Sequence, residues 1–279
     1  MAPYLPEMVA ILLAITAFRI GSRNAFGALK DLRWSLPSVL VLQVGLPLLM
    51  AALLWFIGFL QTPLALALIL AGSAPTISGG ASLAIILRQD PARVMQILVL
   101  GTAVFPLTVL VVLRVVPVVN APALLIEVGM RSLATIVIAA MIGFVLRRVL
   151  LPLPTPAQTR AVDGVAILFF ALIVIGLMAA LGPALRDDPA KALLWTLVAF
   201  GFSFGVQVLT VVLLAKGPLS QVAGPLALAA GNRNIALFLV ALPSELVAPI
   251  MLFVACWQLP MYLTPIFLAG LYRRVWNDE

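Results

Sequence analysis

Long apolar stretches, separated by short joints that hold almost all of the charge, follow one another from one end of the chain to the other. They cover residues 6–21, 37–59, 62–87, 92–117, 123–147, 161–181, 190–215, 218–242 and 246–272. A helix needs about 20 mostly apolar residues to cross the hydrocarbon core of a bilayer, so each stretch predicts one transmembrane helix and the chain predicts nine. The stretches are too long for barrel strands and lack their apolar/polar alternation. The expectation is an all-α polytopic membrane protein, a single transmembrane domain over residues 1–279.

Two stretches are interrupted far from either end. Pro63-Leu64-Ala65-Leu66-Ala67 opens a helix that runs into Gly72-Ser73-Ala74-Pro75-Thr76-Ile77-Ser78-Gly79-Gly80 before apolar sequence resumes. Pro225-Leu226-Ala227-Leu228-Ala229 opens another, which runs into Gly231-Asn232-Arg233-Asn234. Counted along the chain, these third and eighth helices point in opposite directions. Matched breaks in helices of opposite direction are the sequence sign of an inverted-repeat transporter, with the substrate site where the breaks meet. Chance recurrence of PLALA in a Leu- and Ala-rich chain is the competing explanation, and the polar break that follows both copies weighs against it.

Composition narrows the function. Of 279 residues, 64% are apolar and 10% charged, against about 25% charged in soluble domains, so little chain remains for a soluble enzyme head. Histidine is absent, and the one cysteine, Cys256, lies inside an apolar stretch. The commonest zinc ligand, the usual proton relay at neutral pH and any intrachain disulfide are thereby removed. No catalytic residue, metal site or cofactor is expected. The net charge of +7 resides in joints and not on a basic stripe, so the lipid bilayer is the expected partner and nucleic acid is not.

Sorted by alternate joints, Arg19, Arg23, Lys30, Arg33, Arg88, Arg93, Arg147, Arg148, Arg160, Lys216, Arg273 and Arg274 fall on one side. Arg114, Arg131, Arg186 and Lys191 fall on the other. The positive-inside rule then puts the C-terminus in the cytoplasm and, with nine crossings, the N-terminus outside. MAPYLPE carries no Lys or Arg ahead of the first apolar stretch, so that stretch reads as a retained helix and not as a signal peptide. Abundant Ala, Leu and Arg with few Lys fit a bacterial inner (plasma) membrane.

Candidate chemistry concentrates at the two breaks. Arg233 falls deep inside its stretch, where an arginine costs about 2.5–3.5 kcal/mol on insertion scales. Every Asp and Glu, Glu127 and Asp163 included, falls in a joint, helix end or tail. A guanidinium without a carboxylate partner suits a substrate carboxylate or sulfonate, held bidentately. It equally suits the broken helix's own carbonyls. Asn232 and Asn234 flank it. In the other break, Gly79 and Gly80 free amides that could face an anion, beside the hydroxyls of Thr76 and Ser78. Close helix packing explains these small residues as well. Gln43 and Gln258, polar within apolar stretches, are read either as pocket lining or as interhelical hydrogen-bonding groups.

These residues resemble the bile acid:sodium symporter family and its bacterial relatives. Phe18-Arg19-Ile20-Gly21, Gln43-Val44-Gly45-Leu46-Pro47, Ala74-Pro75-Thr76-Ile77-Ser78-Gly79-Gly80-Ala81, Leu87-Arg88-Gln89-Asp90 and Ala230-Gly231-Asn232-Arg233-Asn234-Ile235-Ala236-Leu237 carry the resemblance, loosely over nearly the whole chain. It implies a nine-helix variant in which a core domain, roughly 37–117 and 190–272, rocks against a panel, roughly 6–21 and 123–181. Two crossing broken helices would then carry a small organic anion by alternating access. The places that would hold sodium in the family fall on Gly80, Ala81, Val94, Leu98 and Ala229, and the amide of its second motif becomes Arg233. The expectation is transport without the family's sodium sites. A non-transporting sensor with this fold and a carrier of another ten-helix inverted-repeat family are the alternatives; a membrane enzyme would need reactive groups the spans lack.

Overall fold

Proline and a few capping side chains set where the helices begin. Helices α5 (Pro63–Ser73), α7 (Pro91–Leu113), α8 (Pro122–Leu150), α9 (Pro156–Leu177) and α11 (Pro189–Leu214) all open on proline, whose missing N–H costs nothing in a first turn. Thr62, Asp90 and Asp188 cap α5, α7 and α11 by accepting from first-turn amides. Thr155 forms a reciprocal capping box with Gln158 at the start of α9. The structure, a computed structural model, describes residues 4–29, 32–117 and 121–275. Lys30, counted above with the basic side, and Asp31, Asp278 and Glu279 lie outside the described residues.

The protein is all-helical, with no strand among the described residues. Six helices are long and apolar enough to cross a membrane: Leu32–Phe56, Pro91–Leu113, Pro122–Leu150, Pro156–Asp187, Pro189–Leu214 and Ser244–Phe267. A seventh is counted if α1 (Leu5–Ile20) and α2 (Ser22–Ala28) form one span, although the chain turns by 88° between them. The turn is made at Gly21, whose φ of +74° a residue with a side chain adopts only under strain. Several helices of membrane-crossing length mark an integral membrane protein.

The second predicted stretch begins earlier than expected. Its helix, α3 (Leu32–Leu40), passes through a wide turn at Val41–Gly45 into α4 (Leu46–Phe56). The two interrupted stretches are broken as expected. The first divides into α5 and α6 (Gly80–Ile86); the second divides into α12 (Ser220–Gly231) and the short turns Ile235–Leu237 and α13 (Phe238–Ala241). Pro225 corrects one expectation, because it sits inside α12 and opens nothing. Ser220 precedes Arg233 by the same 13 residues by which Pro63 precedes Thr76. The helix starts, not the PLALA strings, are therefore the matching positions. PLALA recurs because both half-helices are enclosed: Ala65 through Ser73 and Val222 through Gly231 are all buried, and a helix buried on every side is apolar on every side.

Three more short helices, α10 (Leu181–Asp187), α14 (Ser244–Val247) and α16 (Ala269–Arg273), join the long ones, and α15 (Met251–Phe267) completes the bundle. The main core gathers around α5, α7, residues 235–242 and α15, where Phe105 meets Phe238 edge-on at 5.3 Å and Trp257 is fully buried. Helix α1 packs chiefly on α8 and α9. Among the polar contacts between helices, Arg19 reaches Asp163 and Ser82, Arg147 packs at Gly21, Gln89 reaches Tyr272 and Arg93 reaches Gln221. Asp163 lies within the helix α9 and not in a joint, because the Thr155–Gln158 cap starts that helix at Pro156.

The α1–α8 contact depends on Gly143, where a Cβ would lie 2.3 Å from the Ala14 carbonyl oxygen and 2.7 Å from the Phe18 amide. Gly143→Leu is expected to lower stability by about 1–3 kcal/mol through overpacking. Gly164→Ala, in α9 with nothing within 4 Å of the new Cβ, is expected to be neutral or stabilising by up to about 1 kcal/mol. Thermal unfolding in detergent measures both.

Candidate functional site

The two breaks meet and are joined backbone to backbone. Thr76 and Arg233 form an isolated antiparallel bridge. The Asn234 amide donates to the Pro75 carbonyl at 2.7 Å, and the Ile77 amide donates to the Asn232 carbonyl at 3.0 Å. Backbone that has left its helix inside an apolar interior costs several kcal/mol per unsatisfied group unless protein or water meets it. Here each break supplies a donor to the other.

That exchange leaves carbonyls over, and the guanidinium of Arg233 collects them. The Asn234 amide would have closed the next helical turn onto Ala230 but is turned to Pro75, and Arg233 Nε donates to the Ala230 oxygen instead, at 2.9 Å. One Nη1 proton goes to the Ala74 oxygen at 3.0 Å, at the end of α5. Nη2 reaches the Leu42 oxygen at 3.0 Å. That third carbonyl is free for a local reason. In the wide turn Leu46 donates to Val41, and the next donor in this register, Pro47, has no N–H. The ends of α5 and α12 carry negative partial charge, so two helix dipoles and a stranded carbonyl surround a cation that is 1% exposed. Trp257 closes the arrangement by donating from Nε1 to the Arg233 carbonyl at 3.0 Å.

Of the two roles foreseen for Arg233, this geometry is the one in which it holds the broken backbone. Its fork is committed to carbonyls, and it lines none of the cavities beside the breaks. Asn232 is equally occupied. Its amide donates to Leu228, and its oxygen accepts from Thr264, which accepts from Gln207, which accepts in turn from Tyr272. Gly231 lets this network form, since a Cβ there would lie 2.4 Å from both the Ser203 oxygen and Gln207 Cγ. Gln43 is buried beside Gly101 and accepts from Thr108 at 3.0 Å, while Gln258 donates to Val254 in its own helix. Gly80 is a packing glycine, with Val94 Cγ1 2.9 Å and Thr76 Cγ2 3.1 Å from where its Cβ would stand. Asn234 is half-buried. Thr76 is the exception to this satisfaction: its Oγ1 is buried without a hydrogen-bond partner among the described residues.

Open space lies to one side of the crossing, against α1, α8 and α9. Two cavities of about 220 and 190 Å³ share Thr16 and Ser78, and the smaller is lined by Gly79, Ser82, Arg19 and Tyr262 among apolar side chains. Arg19 Nη2 donates to Ser82 Oγ at 2.9 Å, and Nε pairs with Asp163. A wider crevice of about 610 Å³ opens between the start of α1, α8 and residues 239–251, with Arg131 on its wall. Arg131 pairs with Glu127 at 3.3 Å and is half-exposed. The breaks thus place Ser78 and Gly79 at open space and withdraw Gly80, Asn232 and Arg233 from it. Arg19, Ser82, Asp163 and Tyr262 were not foreseen as site residues. The one signal was Arg19 within the Phe18-Arg19-Ile20-Gly21 motif, which was read for fold alone.

Arg233→Met is expected to strand the Ala230, Ala74 and Leu42 carbonyls. At about 1–3 kcal/mol for each buried group left without a partner, the loss exceeds that of most single substitutions. Arg233→Lys should recover only part of it, because an ammonium lacks the planar fork. Thermal unfolding decides; a Met variant as stable as the parent would refute the role. Neither a comparison with protein-family models nor a search of the curated proteins finds a match for this chain, so the functional reading rests on the geometry above.

Proposed function

We propose that this chain is a secondary transporter of a small organic anion, of the bile acid:sodium symporter type, working by alternating access at the crossed breaks. The observation that carries the proposal is the reciprocal backbone pairing of Thr76 with Arg233. Inverted-repeat carriers place their substrate at such breaks, in helices of opposite direction.

Nine crossings are supported by the polar contacts between helix ends. If Arg19, Ser82, Gln89, Arg93, Arg147, Asp163, Gln221 and Tyr272 share an end, then α5 with α6 makes one crossing and α12 with α13 makes another. Those two add to the helices of membrane-crossing length and the bent α1. The shared end is rich in arginine, which places it, and the C-terminus, in the cytoplasm. The panel of the proposal is α1, α8 and α9, and the core is the remainder.

Substrate is taken up between panel and core. The 610 Å³ crevice has the size of a small-molecule site, which runs from about 300 to 1,000 Å³. Arg131 stands on the wall of this crevice and Arg19 on the wall of the separate 190 Å³ cavity, each held by a carboxylate until an anion competes for it. The Thr76 hydroxyl, without a partner among the described residues, supports a site that is satisfied only at another stage of the cycle. Arg233 stays in place throughout, a fixed cation where sodium would otherwise bind, and it repels sodium across a low-dielectric site.

Flux into proteoliposomes across a panel of carboxylates and sulfonates tests the reading. Saturable uptake that is unchanged when potassium replaces sodium at fixed membrane potential is expected. Uptake that collapses in potassium would refute the sodium-free mechanism, and no flux of any anion would refute transport. Thr76→Val removes a hydroxyl that makes no hydrogen bond among the described residues, so it should leave thermal stability unchanged or raised while uptake falls. With Cys256 replaced, cysteines near Arg186 should label from outside and those near Arg147 from inside.

A further inference from the structure

On the periphery of the bundle, away from the crossing, α1, α8 and α9 border an open apolar groove of about 720 Å³. Its lining runs along α8 from Ala134 to Leu146, about 18 Å at 1.5 Å per residue. Half of a hydrocarbon core about 30 Å thick is about 15 Å, so the groove has the depth of one leaflet. One end of it is basic. Phe18 lines the groove, and the Arg147 guanidinium lies over the Phe18 ring at 5.8 Å. Arg148 follows in the last turn of α8, and Arg160, in the first turns of α9, directly precedes the lining residue Ala161; both are exposed. The five-residue connection between α8 and α9 keeps the three arginines at the same end. Asp163, the acid nearest to them in sequence, is engaged with Arg19.

We propose that this groove binds an anionic phospholipid, one acyl chain along α8 and the phosphate on Arg147, Arg148 and Arg160. Guanidinium forks match phosphate oxygens in pairs, and basic pockets at the ends of membrane helices are sites for acidic headgroups. A second copy of the chain fits less well. A two-fold axis along the membrane normal would bring the arginine cluster of one copy against that of the other, and like charges in an interface are repelled. The lipid instead brings the opposite charge and the matching length. This site does not depend on the transport reading.

Thermal unfolding in detergent with added phosphatidylglycerol, phosphatidylcholine or inorganic phosphate, together with native mass spectrometry for retained lipid, tests the proposal. Phosphatidylglycerol should raise the unfolding temperature by several degrees and be retained, phosphatidylcholine should do less than half as much, and phosphate should do nothing. The triple variant Arg147→Gln, Arg148→Gln, Arg160→Gln should lose the difference between the two lipids. Ala161→Trp, at an exposed position with every arginine intact, should fill the groove and reduce stabilisation by both, so the acyl half is tested even if the triple variant folds poorly. Equal stabilisation by the two lipids would overturn the proposal, as would phosphatidylglycerol retained in full by Ala161→Trp. A lipid-independent dimer that Ala161→Trp dissociates would overturn it in favour of a second copy.

Discussion

A carbonyl that has left its helix in an apolar interior must find a donor, and the centre of this protein is organised by that requirement. Two helices stop at Ser73 and Gly231, and a third is loosened at Val41–Gly45 ahead of a proline. Part of the freed backbone is satisfied by the opposite break, and the carbonyls of Ala230, Ala74 and Leu42 converge on one guanidinium. No acidic side chain need balance the charge, because the helix ends that created the demand also supply the negative potential. The cost of burying Arg233 and the cost of breaking the helices offset one another; either alone would be prohibitive.

The surrounding packing keeps this junction rigid. Trp257 holds the backbone of Arg233, and the sequence of hydrogen bonds from Tyr272 through Gln207 and Thr264 to Asn232 ties α16, α11 and α15 to the break. Gly231 and Gly80 admit neighbours so close that no side chain fits between them. Against α1, α8 and α9, by contrast, the molecule is hollow, and the polar side chains there are ion pairs and hydroxyls that can exchange partners. A tightly bonded centre beside a loosely filled boundary is the division of labour that the proposed rocking mechanism would require.

Much of the architecture was legible along the chain, since long apolar stretches and two polar interruptions are statements about burial that need no tertiary information. Pro225 was misread as a helix start, because PLALA reflects burial inside the protein and recurs at unequal distances before the breaks, whereas the helix starts at Pro63 and Ser220 lie equally far from Thr76 and Arg233. Arg233 was found by its depth, but its partners are backbone oxygens far away in sequence, and a sequence does not display backbone oxygens. Leu42 was obscure for the same reason, although Pro47 is the cause. The pairing of Arg19 with Asp163 escaped notice because both sit close to charged joints; only the tertiary fold joins these residues, 144 apart in the chain, beside the cavity that Arg19 lines.

The partners of Arg233 also impose an order on assembly. Apart from Ala230, the carbonyls it serves lie 159 and 191 residues earlier in the chain, so they are made well before the arginine leaves the ribosome. Until then the N-terminal half holds a helix end and a proline-loosened turn with no donor, and it must wait partly open or partly hydrated. Chains fold from the N-terminus as they are synthesised, and a lone arginine is poorly tolerated in the bilayer centre. The segment that carries Arg233 is therefore admitted only against a preassembled neighbour. A truncated product ending before it would keep an unfilled socket, a ready signal for membrane quality control.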